Sequence, residues 1–151
     1  MTTNEKPVVL LIDDNEATCT LITAVLQREF VTDAVPDGAD AIERLKTRRY
    51  AAILLDLRMP NIDGYAVLEH LKSTRPDLLP SVLVVTASLT QRELSRVHGY
   101  DVHGIVAKPF DVEELLAAVK RCANPAPPPG GAILNGAMLL FLADLIQKRL
   151  M

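Results

Sequence analysis

The chain has 151 residues, enough for one domain with a proper core and a short appendage. Its hydrophobic fraction of 49% and charged fraction of 23% are ordinary for a globular protein, and a formal net charge of -3 gives no electrostatic support for nucleic-acid binding by the whole chain. The two cysteines, Cys19 and Cys122, show no CxxC spacing and no histidine cluster nearby, so neither a zinc site nor a disulfide framework is indicated.

Strand and helix patterns alternate from Val8 onward. The run Val8-Val9-Leu10-Leu11-Ile12 reads as a first strand; it is too short for a signal peptide and leads into acidic residues, so a cytoplasmic protein is expected. Ala17, Leu21, Val25 and Leu26 suggest the apolar stripe of a first helix. A weaker strand is expected around Phe30 to Val35, then a helix with Ala41, Ile42 and Leu45 inward. Lys46, Arg48 and Arg49 fall at the end of that helix, where cations complement its dipole. Ala51 to Leu55 reads as a buried strand, and Val67, Leu68 and Leu71 mark the third helix, with Asp63 as its cap. Val82 to Val85 is the fourth strand. Thr90-Gln-Arg-Glu93 fits a capping box for a helix carrying Leu94 and Val97 and ending at Gly99. Ile105 to Ala107 is the fifth strand. Asp111 is placed to cap a last helix with Val112, Leu115, Leu116 and Val119 on one face.

Strands that are apolar without alternation have both faces covered, as in a parallel sheet between helices. Five βα units in about 115 residues predict an α/β, flavodoxin-like doubly wound domain over residues 1–123. Residues 124–131, NPAPPPGG, read as a semi-stiff linker. Residues 132–151 read as an apolar C-terminal helix, but the uninterrupted apolar run is far short of the roughly 20 residues that span a bilayer. Such a helix must bury itself on its own domain, on a second copy or on a partner; a homodimer through 132–151 is the favoured expectation, and a membrane-surface helix, weakened by few basic residues, is the runner-up.

The carboxyl ends of parallel strands share one edge, where open sheets hold ligands. The first strand ends in Asp13-Asp14, the third in Asp56, the fourth in Thr86 and the fifth in Lys108-Pro109. Three carboxylates in one cleft repel each other unless a cation sits among them. An all-oxygen donor set suits Mg²⁺ where phosphate is handled. Lys108 can neutralise the empty cleft and hold a phosphoryl oxygen in the loaded one, and Thr86 adds a hydroxyl donor. This assembly suits phosphoryl transfer to Asp56 as nucleophile, by positioning and electrostatic stabilisation.

Together Asp13-Asp14, the run Asp56-x-x-Met59-Pro60-x-x-Asp63-Gly64, Thr86-Ala87 and Lys108-Pro109-Phe110 make the chain, over roughly Pro7 to Cys122, resemble a receiver domain (CheY-like) of two-component response regulators. The resemblance implies sheet order 2-1-3-4-5 and Asp56 as the phosphoacceptor. It implies Asp14 as a direct magnesium ligand, Asp13 acting partly through water, and the backbone carbonyl of Arg58 as a further ligand, with the Arg58 side chain free to vary. Thr86 and Lys108 would bind the phosphoryl group, and the peptide before Pro109 would be cis, helping to aim Lys108. The donor would be a sensor histidine kinase or a phosphotransfer protein, and output would pass through a downstream protein, not nucleic acid, because no room remains after Cys122 for a DNA-binding domain.

The sequence departs from that family at its switch position, three before the lysine, where Ile105 replaces the usual Tyr or Phe. Tyr100, five residues earlier, is not expected to substitute, and His98 to Gly104 departs from the common loop pattern. A phosphorylation-independent interaction module is therefore the alternative. A phosphohydrolase with an aspartyl phosphate fails on spacing, since its motif would follow the first strand. His70, His98 and His103 lack ligand spacing and read as surface residues; Cys19 reads as a small core residue.

Overall fold

A computed structural model describes residues 5–87 and 89–125. Most of the expected linker and the whole expected helix 132–151, with the dimer contact assigned to it, lie outside the described residues. Five strands, β1 Val8–Ile12, β2 Val31–Val35, β3 Ala52–Leu55, β4 Val82–Thr86 and β5 Gly104–Ala107, alternate with five helices. The helices are α1 Glu16–Leu26, α2 Gly38–Thr47, α3 Gly64–Thr74, α4 Gln91–His98 and α5 Val112–Ala123. All neighbouring strands pair in parallel, in the order β2-β1-β3-β4-β5. Both the doubly wound architecture and its strand order are as expected.

Successive strand residues point to opposite faces, and each face has its own core. Leu10, Ile12, Ile53, Leu55, Val82 and Val84 pack with α2, α3 and α4 residues such as Leu45, Leu68 and Val97. Val9, Leu11, Leu54, Leu83 and Val85 pack with Ile22 and Leu26 of α1 and Leu115 and Val119 of α5. The double coverage is why β1 and β3, and β4 as far as Val85, are unbroken apolar runs. Among the described residues no helix is long and apolar enough to cross a membrane.

The helix starts follow from side-chain caps. Asn15, Asp37, Asp63, Thr90 and Asp111 each accept a hydrogen bond from a backbone N–H of the first turn. Those of Asp63, Thr90 and Asp111 are as expected.

Three expectations need correction. In α1 the buried stripe is Ile22 and Leu26, while Leu21 is 47% exposed and Ala17 lies at the surface. A spacing of four fits the phases 17-21-25 and 18-22-26 equally, and Thr18 disguised the second, which faces the sheet. Val112 is 46% exposed, because the first residue of α5 precedes the turn that meets the core. A 3₁₀ helix, Pro76–Ser81, joins α3 to β4, where the sequence reading had no element.

The edge strand β2 carries Asp33, whose carboxylate receives Arg44 of α2, Arg48 and the Tyr50 hydroxyl, the last at 2.7 Å. Burial pushes the Asp33 pKa up, but the Tyr50 hydrogen bond and the Arg44 pair outweigh it, so the net shift is downward. A carboxylate with a depressed pKa contributes stability above its unfolded value and loses it as pH falls through the folded one. Asp33→Asn is therefore expected to cost about 1 kcal/mol at pH 7. Thermal denaturation at acid pH should show the wild-type advantage shrinking below the unperturbed value of 3.8.

Candidate phosphoryl-acceptor site

Backbone hydrogen bonds continue the ladder one residue past three strand ends. The N–H of Asp13 donates to Val35 O at 3.2 Å, that of Asp56 to Ile12 O at 3.0 Å, and that of Lys108 to Thr86 O at 2.9 Å. Ile12 and Leu55 are register partners, as are Thr86 and Ala107. The sheet thereby fixes the main chain of Asp13, Asp56 and Lys108 before any side-chain contact is considered.

Asp13 is 3% exposed, Asp56 8% and Thr86 0%, an unusual concentration of buried polar groups. Lys108 answers the charge: its Nζ donates to Asp13 Oδ2 at 2.6 Å and to Asp56 Oδ2 at 3.5 Å. The other oxygens are also engaged, Asp13 Oδ1 by the Asn15 N–H at 2.9 Å and Asp56 Oδ1 by the Arg58 N–H at 3.3 Å. Asp14, exposed beside them, completes a set of three carboxylates whose ligand atoms lie within 4.8 Å of one another. Among the described residues this is the group able to hold a metal ion, and its hard oxygen donors fit Mg²⁺.

Burial raises the Asp56 pKa, and the Asp13 charge adds to the rise; Lys108, the Arg58 N–H and the Thr86 hydrogen bond oppose it. Burial lowers that of Lys108, but the Asp13 hydrogen bond and the two carboxylates outweigh it, so the ammonium is held above its usual range. The cleft thus sets three carboxylates against one ammonium, a negative excess that a second cation could offset.

The loop after Asp56 is built by close approach. The Gly64 N–H donates to Leu57 O at 3.0 Å, and a Cβ on Gly64 would lie 2.5 Å from Asp56 O. Asn61 takes φ 66°, the left-handed region that asparagine tolerates. The Lys108–Pro109 peptide is cis, as the resemblance implied. Ile105 is half-buried against the α2–α4 core. Tyr100 is buried, and its hydroxyl donates to Glu69 Oε1 at 2.7 Å; burial and that bond push its pKa up to about 12. The Tyr100 hydroxyl is thus committed to α3.

Beside the acidic cluster runs a groove of about 460 Å³ lined by Asp14, Arg58, Asp63, Tyr65, Glu93 and Arg96 among others. The Arg58 side chain, expected to be free to vary, reaches α4: its Nη2 lies 3.3 Å from Glu93 Oε1. Arg96 stacks its guanidinium 3.6 Å from the centre of the Tyr65 ring, and the Tyr65 hydroxyl is buried with no hydrogen-bond partner among the described residues. Of the groove residues, sequence reasoning placed Asp14 and the Arg58 carbonyl at the metal site, Asp63 as a cap and Glu93 in a capping box, but not Tyr65, Arg96 or the reach of the Arg58 side chain to α4. Contacts joining residues 58 and 93, or 65 and 96, leave no periodic trace in the chain.

Comparisons with known proteins agree with this geometry. The family model described as the response regulator receiver domain matches residues 9–120. Response regulator MprA of Mycolicibacterium vanbaalenii is 31% identical over 131 residues, covering 86% of this chain and 56% of that protein. Transcriptional regulatory protein HprR of Escherichia coli is 35% identical over 115 residues, covering 74% of this chain and 49% of that one. The chain spans about half the length of these curated relatives. Among solved structures, the receiver domain of sensor histidine kinase PA1611 from Pseudomonas aeruginosa, described with magnesium in its active-site cleft, superposes with a TM-score of 0.71. It is 28% identical, and the match covers 79% of this chain and 98% of that one.

Proposed function

Because the chain belongs to the response regulator receiver family of two-component signalling, we propose that it accepts a phosphoryl group from a kinase or phosphotransfer-protein phosphohistidine onto Asp56 and signals through protein contacts. The observation that supports this most is the convergence of Asp13, Asp14 and Asp56 around Lys108 at the carboxyl edge of the sheet. Asp13, Asp14, Asp56 and the backbone carbonyl of Arg58 would hold Mg²⁺, which when bound offsets the negative charge of the transferring group. The magnesium described in the cleft of the similar PA1611 receiver supports that assignment.

In the transfer, an Asp56 carboxylate oxygen forms a bond to phosphorus as the phosphorus–nitrogen bond of the donor breaks. The departing imidazole nitrogen keeps the electron pair and takes up a proton. Lys108 and the Thr86 hydroxyl bind phosphoryl oxygens, and Lys108 must slacken its hold on Asp13 to do so. Burial of Asp56 excludes water from the nucleophile and strengthens each of these interactions. A cytoplasmic location fits a donor of this kind.

The chain incubated with Mg²⁺ and acetyl phosphate is expected to gain one phosphoryl group by intact mass, and Asp56→Asn to gain none. A wild-type chain that stays unmodified would overturn the reading. It would then favour a phosphorylation-independent interaction module, the reading for which Ile105 at the switch position speaks.

A further inference from the structure

Arg58 follows Asp56 by two residues, and its side chain is paired with Glu93 of α4. Its backbone N–H already donates to Asp56 Oδ1, so the side chain starts next to the reactive carboxylate. It is 70% exposed, so it can turn without disturbing the core. Its present partner, Glu93 of α4, is met through Nη2 at 3.3 Å, longer than a usual charged hydrogen bond. The other guanidinium lining the groove, that of Arg96, is occupied by the face of Tyr65. Among the described residues lining this groove, Arg58 is the cation whose exposed side chain can exchange its partner and turn toward Asp56.

We propose that the Arg58 guanidinium is a third phosphoryl-binding group, beside Lys108 and Thr86, and that Glu93 holds it in reserve until Asp56 is loaded. The proposal rests on the reading of Asp56 as phosphoacceptor. A phosphoryl group presents about two negative charges and three oxygens, whereas Glu93 offers one charge at a partly wet site. A planar guanidinium matches phosphoryl oxygens with two parallel hydrogen bonds, an advantage lysine lacks. Turning Arg58 toward the phosphoryl group takes a cation away from Glu93 in the first turn of α4. Loading would thereby be felt at α4 through charge, without an aromatic side chain at position 105.

The test is equilibrium binding of beryllofluoride, a phosphoryl mimic, at fixed Mg²⁺, followed by fluorine NMR on the whole chain. Arg58→Ala is expected to weaken binding about tenfold, with Arg58→Lys between the two. Glu93→Gln, which releases Arg58, is expected to tighten it about threefold, and the Arg58→Ala/Glu93→Gln double variant to match Arg58→Ala. An arginine with a merely structural role would not make the loss of Glu93 a gain in affinity. Binding by wild type that Arg58→Ala leaves unchanged, or that Glu93→Gln fails to tighten, overturns the proposal alone. A wild type that binds no beryllofluoride and takes no phosphoryl group from acetyl phosphate overturns the Asp56 reading and this proposal with it.

Discussion

Lys108→Ala is expected to destabilise the metal-free protein by about 3 kcal/mol at neutral pH, a fall of about 10 °C in Tm. The lysine is the ammonium bridging two carboxylates that are almost wholly buried, at 2.6 Å and 3.5 Å, and removing it leaves them facing each other. Breaking one side of a buried ion pair costs more than the pair contributes, because the orphaned charge keeps its desolvation penalty. The pH dependence follows from both shifts. Lys108 is held above its usual value of 10.5, so the stability it contributes is complete through neutral pH and is lost only as pH rises past that range. Asp56 is raised by burial and by Asp13, so its ionised form weighs against the fold, and acid relieves that cost by protonating it. The gap between wild type and variant should therefore narrow at alkaline pH and again as pH falls through the carboxylate range. Added Mg²⁺ should restore more stability to the variant than to wild type, because a divalent cation answers the charge that the lysine no longer does. Thermal melts across pH, with and without Mg²⁺, check each part; equal stability of the two proteins at pH 7 would contradict it.

Gly64→Ala is expected to cost about 3 kcal/mol and to slow phosphoryl uptake together with it. The added Cβ would lie 2.5 Å from Asp56 O and 2.6 Å from Leu57 Cα, both main-chain atoms that no rotamer change can move aside. Relief requires α3 and the end of β3 to part, which shifts Asp56, the proposed nucleophile. Gly99→Ala is the control: its nearest neighbour would be Arg96 O at 3.2 Å, and no positive φ is involved, so its cost should stay within about 0.5 kcal/mol. Chemical denaturation combined with the initial rate of acetyl phosphate labelling separates the two glycines.

The sheet was readable in the sequence where both of its faces are covered. β1 and β3 are apolar at every position and are followed by an aspartate, and β4 is apolar up to its last residue, Thr86, at the edge where ligands collect. Edge strand β2 was fainter, since Asp33 sits in its middle to meet α2. The phase of α1 is ambiguous in the sequence because adjacent Leu21 and Ile22 satisfy rival stripes, and only packing against the sheet decides between them. Asp13, Asp14, Asp56, Thr86 and Lys108 stood out because polar residues ending apolar runs need a chemical reason. The groove beside them did not. Arg58 with Glu93 and Tyr65 with Arg96 are pairs across elements whose meeting depends on the tilt of α4 over the loop after Asp56, and single-sequence periodicity carries no such information.

The central claim is that the carboxylate of residue 56 carries the phosphoryl group, and chemical trapping tests it most directly. The protein is labelled with acetyl phosphate and Mg²⁺ and then treated with borohydride. An acyl phosphate is reduced to an alcohol, so peptide mapping should find homoserine at position 56 and aspartate at positions 13 and 14. Homoserine at another position, or aspartate retained at 56 in a chain that has gained a phosphoryl group, would contradict the account.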